Sequence, residues 1–262
     1  MLLRSIQSLL YRLGYATVTQ AELAREAPYS DPAVEPEYRQ LCDEIEASGF
    51  VPGKQEAVHY TTYSAIKYVV ENEIPGDIIE CGVHLGDKMV LVCRFLQNRQ
   101  VRDRHVYLYD TFSGMTPPTP KDKKVTGPLT TNAGVVAKFE QSQKGTHNDW
   151  CYGSKDVVMR NVLATGYPPD LIHCLEGDVL ETLPNESHSK IALLRLDTDF
   201  YDSTLHELRH LYSRVVKGGV VIFDDYGSWQ GQKDATDEFF RAEGLSPLLL
   251  RTCRKERVII RS

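Results

Sequence analysis

The chain has 262 residues, with 30 Lys and Arg against 36 Asp and Glu, a net charge of −6 and 42% hydrophobic residues. These values exclude a disordered or collagen-like chain. The acidic balance argues against a general binder of nucleic acid or of an anionic membrane, either of which needs clustered cations. No apolar run approaches the roughly 18 residues of a membrane span, so the chain reads as a cytoplasmic protein whose main domain can bury its own core without a staple. Cys42, Cys81, Cys93, Cys151, Cys174 and Cys253 form no CxxC pair and read as buried free thiols, not a zinc framework.

The N-terminal stretch places Leu2, Ile6, Leu9, Leu10 and Leu13 on one helical face. Arg4 and Arg12 interrupt it too often for a secretory signal, although the lack of acids before Glu22 has a faint transit-peptide character. Pro28, Pro32 and Pro36 imply an irregular arm over residues 26–40. Residues 1–50 thus read as a helical arm appended to a domain over 51–262, and the arm's apolar face would suit a homo-oligomer. Val58, Tyr63, Ile66 and Val70 predict a helix over 54–72, stopped by Pro75-Gly76.

Asp77–Gly82 is a short apolar run that predicts a buried strand, and Met89, Val92, Cys93 and Leu96 predict a helix after it. His105–Asp110 is a second strand. The stretch after it, rich in Pro, Gly, Thr and Lys, predicts a lid over about 112–150. Lys121, Lys123 and Lys124 within it read as a solvated loop. A helix is expected over Ser154–Ala164, then strands at Leu171–Glu176 and Ile191–Asp197. Thr204 and Glu207 have capping-box spacing at the front of the next helix, and Gly218-Gly219 precedes a fifth strand, Val220–Asp224. Trp229–Glu243 reads as a helix, and Pro247–Leu250 with Arg257–Ile260 as a closing hairpin. Alternating strands and helices predict an α/β, Rossmann-like, doubly wound sheet of seven strands with an antiparallel last strand.

Ligands of such a sheet bind outside the carboxyl ends of its strands. Those ends here carry Glu80, Asp110, Glu176, Asp178, Asp197, Asp199, Asp224 and Asp225, carboxylates that repel one another unless a cation joins them. The first turn keeps Gly82 and Gly86 but lacks GxGxxG, so it is no dinucleotide fingerprint. A glycine turn beside Glu80 suits a cationic amino-acid end. Asp110 is placed to accept ribose hydroxyls, and Asp178 an adenine amine. Together they describe S-adenosylmethionine. Asp197, Asp224 and Asp225 offer hard oxygens suited to Mg²⁺, and Asp199 reads as a general base for a metal-polarised hydroxyl or as one more metal ligand. Trp150, Trp229 and Tyr226 are candidates for stacking on an acceptor, with Trp229 equally readable as core.

The blocks IECGVHLGDKM, LYDTFSGMTPP, GDVLETLP, LLRLDTDFYDST and GGVVIFDDYGSWQG, in this order, resemble the macrocin O-methyltransferase family over about residues 55–245. The resemblance implies a class I methyltransferase fold, S-adenosylmethionine with Mg²⁺, and a hydroxyl acceptor on a sugar or glycosylated natural product. It implies the same roles for Glu80, Gly82, Asp110, Asp197, Asp199, Asp224 and Asp225. The chain departs from the family pattern at His84-Leu85-Gly86-Asp87 and at Ser228. A metal-dependent phosphoesterase and an inactive subunit on this fold are the alternatives. The first leaves Asp110 and Asp178 idle, and retention of the acids speaks against the second.

Overall fold

The computed structural model describes residues 35–50, 56–185 and 188–262. The chain divides after Arg39, and the unit Gln40–Ser262 holds every strand among the described residues. The helix expected over Leu2–Leu13 lies outside the described residues. Helix α1 (Pro36–Ala47) makes residues 36–40 helical where an irregular arm was expected. Pro36 takes the first helical position, where its missing N–H has no intrahelical partner to lose and its fixed φ suits the helix.

Helix α2 (Glu56–Glu71) leads into strand β1 (Asp77–Cys81), helix α3 (Asp87–Asn98) and strand β2 (Val106–Asp110). A long crossover then carries helix α4 (Asn132–Gln141), the two-residue strands β3 (Gln143–Lys144) and β4 (His147–Asn148), and helix α5 (Lys155–Leu163). Strand β5 (Ile172–Glu176), the short helix α6 (Val179–Thr182), strand β6 (Ile191–Leu196) and helix α7 (Tyr201–Leu211) follow. The chain closes with strand β7 (Val215–Phe223), helix α8 (Gln230–Ala242) and strands β8 (Leu250–Arg251) and β9 (Arg257–Ile260).

The seven-stranded sheet has the order β5-β2-β1-β6-β7-β9-β8. The first five strands are mutually parallel, and β9 runs antiparallel to β7 and to β8. On one face Ile79, Cys81, Leu194, Leu196, Val221 and Phe223 pack against Leu205 and Leu208 of α7 and Ala235, Phe239 and Phe240 of α8. The alternate positions Ile78, Leu108, Leu193 and Ile222 are equally buried. Both faces are therefore covered, which is why these strands read as continuous apolar runs. Successive strands run outward from β1 in one direction and from β6 in the other, so the order reverses between them, the place where an open α/β sheet binds ligands.

Two sequence expectations fail for identifiable reasons. Helix α7 starts at Tyr201, so Thr204 and Glu207 are buried inside it and do not cap it. The first N–H is instead satisfied from outside the helix: Asp122, in the expected lid, accepts from Tyr201 N at 2.8 Å. Strand β7 begins at Val215, so Gly218-Gly219 lies within it, next to a slip in register between Ile191 and Leu193 of β6.

Candidate active site

A cavity of about 360 Å³ opens at the carboxyl edge of the sheet, spanning the ends of β5, β2, β1, β6 and β7. It brings together Gly82, Asp110, Asp178, Asp197, Asp199, Asp224 and Asp225. Glu80 and Gly86 do not line it. Three non-glycine residues with left-handed backbone sit on its wall, His84 (φ 52°), Cys151 (φ 54°) and Asp199 (φ 64°). Such backbone strain concentrates at working sites.

The nearest of the edge carboxylates do not all play the same part. One oxygen each from Asp197, Asp199 and Asp225 lie within 4.8 Å of one another. Asp224 is fully buried and ion-paired to both Arg195 and Lys255. Burial opposes its charge, but Arg195 and Lys255 outweigh that and hold it well below the usual carboxylate range. Burial pushes Asp225 well up, helped by Asp199 and Asp224, and pushes Asp199 up to about 7.

Arg195 is the cation that the converging acids require, and the sequence reading missed it. It sits in β6 in register with Glu80 of β1 and is wholly buried. Its guanidinium donates to Glu80 Oε1 (3.0 Å), Glu256 Oε1 (3.0 Å), Asp197 Oδ2 (3.1 Å) and Asp224 Oδ1. One planar fork thus ties the ends of β1, β6 and β7 to the β8–β9 loop, a geometry lysine does not offer. The signal was present as a lone arginine in the apolar run IALLRL. Lys255, from the same loop, also lies 3.8 Å from Asp225.

On the opposite side of the cavity, the glycine turn wraps the end of β1. Gly82 has φ 84°, and a Cβ there would collide with the Asp197 carbonyl, so only glycine lets the ends of β1 and β6 approach. Gly86 instead packs against Val158 and Val162 of α5. Asp110 organises the turn: its Oδ2 accepts from Val83 N (2.7 Å) and His84 N (3.0 Å), and its Oδ1 from Phe112 N (2.8 Å). A carboxylate has about four acceptor sites; three are taken by these backbone N–H groups, and the Thr111 hydroxyl lies 3.5 Å from Oδ1. Asp178 caps α6 by accepting from Leu180 N at 2.9 Å and still lines the cavity. Glu80 Oε2 is buried without a hydrogen-bond partner, and burial pushes the carboxyl up to about 8.

The segment expected as a lid packs directly onto the site. Asp122 is fully buried and also accepts from Thr119 N and Oγ1 at 2.7 and 2.8 Å. Gln230 N donates to Lys123 O and Val125 N to Ser228 O, both at 2.8 Å. Lys121 and Lys123 are exposed, as expected of a solvated loop, with Lys121 over the Tyr201 ring, whereas Lys124 lies over Trp229 and lines the cavity. Trp229 is both core and wall, packed with Phe200 and Val135. Trp150 lines the cavity beside it, but Tyr226 does not and donates to Asp237 at 2.7 Å. Among the cysteines Cys81 and Cys93 are fully buried, whereas Cys151 lies on the cavity wall.

Beneath the Asp197–Asp199 turn, Glu207 of α7 is fully buried, with the Thr198 hydroxyl the polar side chain nearest its carboxyl. Burial pushes the Glu207 carboxyl from 4.5 up to about 8. Between those values the unfolded chain releases a proton the folded chain keeps, so this group lowers stability as pH rises. At about 1.4 kcal/mol per unit the loss reaches a few kcal/mol by pH 8. Glu207→Gln is expected to melt higher than the parent at pH 9 and close to it at pH 4. Equal differences in thermal melts at both pH values would refute this.

The sheet order and the acid-lined carboxyl edge define the fold of class I methyltransferases, which implies S-adenosylmethionine as the cofactor. The profile of the macrocin-O-methyltransferase (TylF) family matches residues 18–252, and the chain belongs to that family. It is 32% identical over 176 residues to demethyldecarbamoylnovobiocin O-methyltransferase of Streptomyces niveus, covering 66% of this chain and 62% of that protein. It is 29% identical over 181 residues to mycinamicin III 3''-O-methyltransferase of Micromonospora griseorubida, covering 69% and 66%. A third relative, from Streptomyces olivaceus, is named as the 4'-O-methyltransferase of a rhamnosyl-tetracenomycin C and is 28% identical over 69% of this chain and 64% of its own length. The chain thus spans somewhat under two thirds of these relatives' lengths. The solved structure of the O-methyltransferase NovP superimposes with a TM-score of 0.68 at 27% identity, covering 79% of this chain and 80% of that one.

Proposed function

We propose that this chain transfers the methyl group of S-adenosylmethionine to a sugar hydroxyl of a glycosylated natural product, with a divalent cation, Mg²⁺, at the acid cluster. The observation that carries the reading is one cavity with two chemistries: Gly82, Asp110 and Asp178 on one side, and Asp197, Asp199 and Asp225 within 4.8 Å of one another on the other. The relatives' names, which specify sugar positions, support the acceptor class. Membership of a methyltransferase family sets the phosphoesterase alternative aside.

The residues that would hold the cofactor follow the order of the strands along the edge. Asp178 at β5 accepts from the adenine amine, Asp110 at β2 from the ribose, and Gly82 at β1 lets the amino-acid end approach. The acids of β6 and β7 line the remainder of the cavity, where the methyl acceptor would sit. The donor set is all hard oxygen, which fits Mg²⁺. Asp197 and Asp225 would hold it, with Asp224 joining by exchanging Lys255, and bound there it would make the acceptor hydroxyl more acidic. Asp199 takes the hydroxyl proton as general base. Lys124, Trp150 and Trp229 wall the acceptor side and exclude water, and the remaining rate gain comes from holding oxygen and methyl in line. No helix among the described residues is long and apolar enough to cross a membrane.

The test is calorimetric titration of S-adenosylhomocysteine and of Mg²⁺ into the protein, followed by methyl transfer to a panel of glycosides with and without chelator. One saturable S-adenosylhomocysteine site per chain and turnover lost with chelator are expected. No binding of S-adenosylhomocysteine would overturn the cofactor assignment. Turnover indifferent to chelator would overturn the metal assignment alone.

A further inference from the structure

We infer that Lys88 is the receptor for the carboxylate of the cofactor's amino-acid end. The inference rests on the reading of S-adenosylmethionine as cofactor. Lys88 is the second residue of α3, the helix that leaves the glycine turn. It is 8% exposed, and yet it lines the cavity. A lysine in such a place is unusual, because its ammonium forfeits hydration and needs partners. Asp87 supplies part of the compensation, accepting from Lys88 Nζ at 3.0 and 3.1 Å. Asp87 is itself steadied by His59 Nε2 at 2.8 Å, and these partners hold its carboxyl below the usual range against the effect of burial. Lys88 has three N–H donors and Asp87 offers one carboxylate, so donor capacity remains toward the cavity.

The position along the edge selects the function. The cavity has three lysines on its wall, Lys88, Lys124 and Lys255. Lys255 is committed to Asp224 and Asp225 at the end of β7. Lys124 belongs to the lid and lies over Trp229. Lys88 stands over the end of β1, one strand beyond the Asp110 carboxylate and two beyond Asp178, where the amino-acid end falls when the adenosine occupies those acids. The α-carboxylate there needs a cation, and Lys88 is that cation. Glu80 lies behind the cavity wall, near enough for its charge to interact with that of Lys88. The amino terminus of α3 adds a favourable dipole for the carboxylate.

Two ligands that differ at that end make the test: S-adenosylhomocysteine and 5'-methylthioadenosine, which keeps adenine, ribose and sulfur but has no amino acid. Lys88→Met is expected to weaken S-adenosylhomocysteine by about 10- to 100-fold, the value of a charge-assisted contact, and to leave methylthioadenosine unchanged. Lys88→Arg is expected to restore most of the loss. An equal loss for both ligands, or none for S-adenosylhomocysteine, overturns the assignment. If the methionine variant does not fold, decarboxylated S-adenosylhomocysteine on the parent protein decides the matter: it should bind about 10- to 100-fold more weakly than S-adenosylhomocysteine, and equal affinity refutes the role. Failure of the parent to bind either adenosine ligand would instead refute the underlying cofactor reading.

Discussion

Replacing Arg195 by methionine is expected to destabilise the protein by about 3–5 kcal/mol, the usual result of removing one partner from a buried ion pair. The carboxylates of Glu80, Asp197, Asp224 and Glu256 would lose the guanidinium they share. Glu80 and Glu256 have no water to replace it, because both are fully buried. The melting temperature should fall on the order of 10 °C for a chain of this size. Arg195→Lys should recover part of that, since it restores the charge but cannot fork to strands on both sides. Denaturant unfolding of the three proteins measures it. A methionine variant as stable as the parent would mean that the acids hold themselves together by sharing protons and that Arg195 is not their organising charge.

Asp199→Asn is expected to lower turnover by about 10²–10⁴-fold, the range for loss of a general base, while S-adenosylhomocysteine affinity stays near that of the parent. The substitution suits the backbone: Asp199 has φ 64°, and asparagine tolerates that left-handed conformation about as well as aspartate. It keeps the shape of the side chain and removes its charge and its capacity to take a proton. A purely structural Asp199 would leave kcat near the parental value. An Asp199 that only ligates the metal would shift the Mg²⁺ concentration needed for half-maximal rate, and saturating Mg²⁺ would then restore turnover. Steady-state kinetics at several Mg²⁺ concentrations separate the three outcomes.

The sequence by itself determined the alternation of strands and helices, because a strand buried on both faces must be apolar throughout, as DIIEC and IALLRL are. It also determined that Asp110, Asp178, Asp197, Asp199, Asp224 and Asp225 meet at one edge, since parallel strands put all their carboxyl ends together. The family was legible for the same reason, in blocks that are the strand ends themselves. Only the tertiary structure decided how those acids divide their work. Asp224 is drawn to Arg195 and Lys255, whereas Asp197, Asp199 and Asp225 converge, and that depends on the Glu80–Arg195 register and on a loop whose Glu256 lies 61 residues beyond Arg195. The start of α7 was illegible because its first N–H is satisfied by Asp122, from a segment that reads as loop. Glu80, read as a cavity contact, lies beneath Arg195, and Lys88, an ordinary residue in a helical pattern, reaches the cavity wall. Charge and apolar periodicity are local properties of a chain. Which charge meets which is set by the stacking of strands far apart in sequence, and no local pattern encodes it.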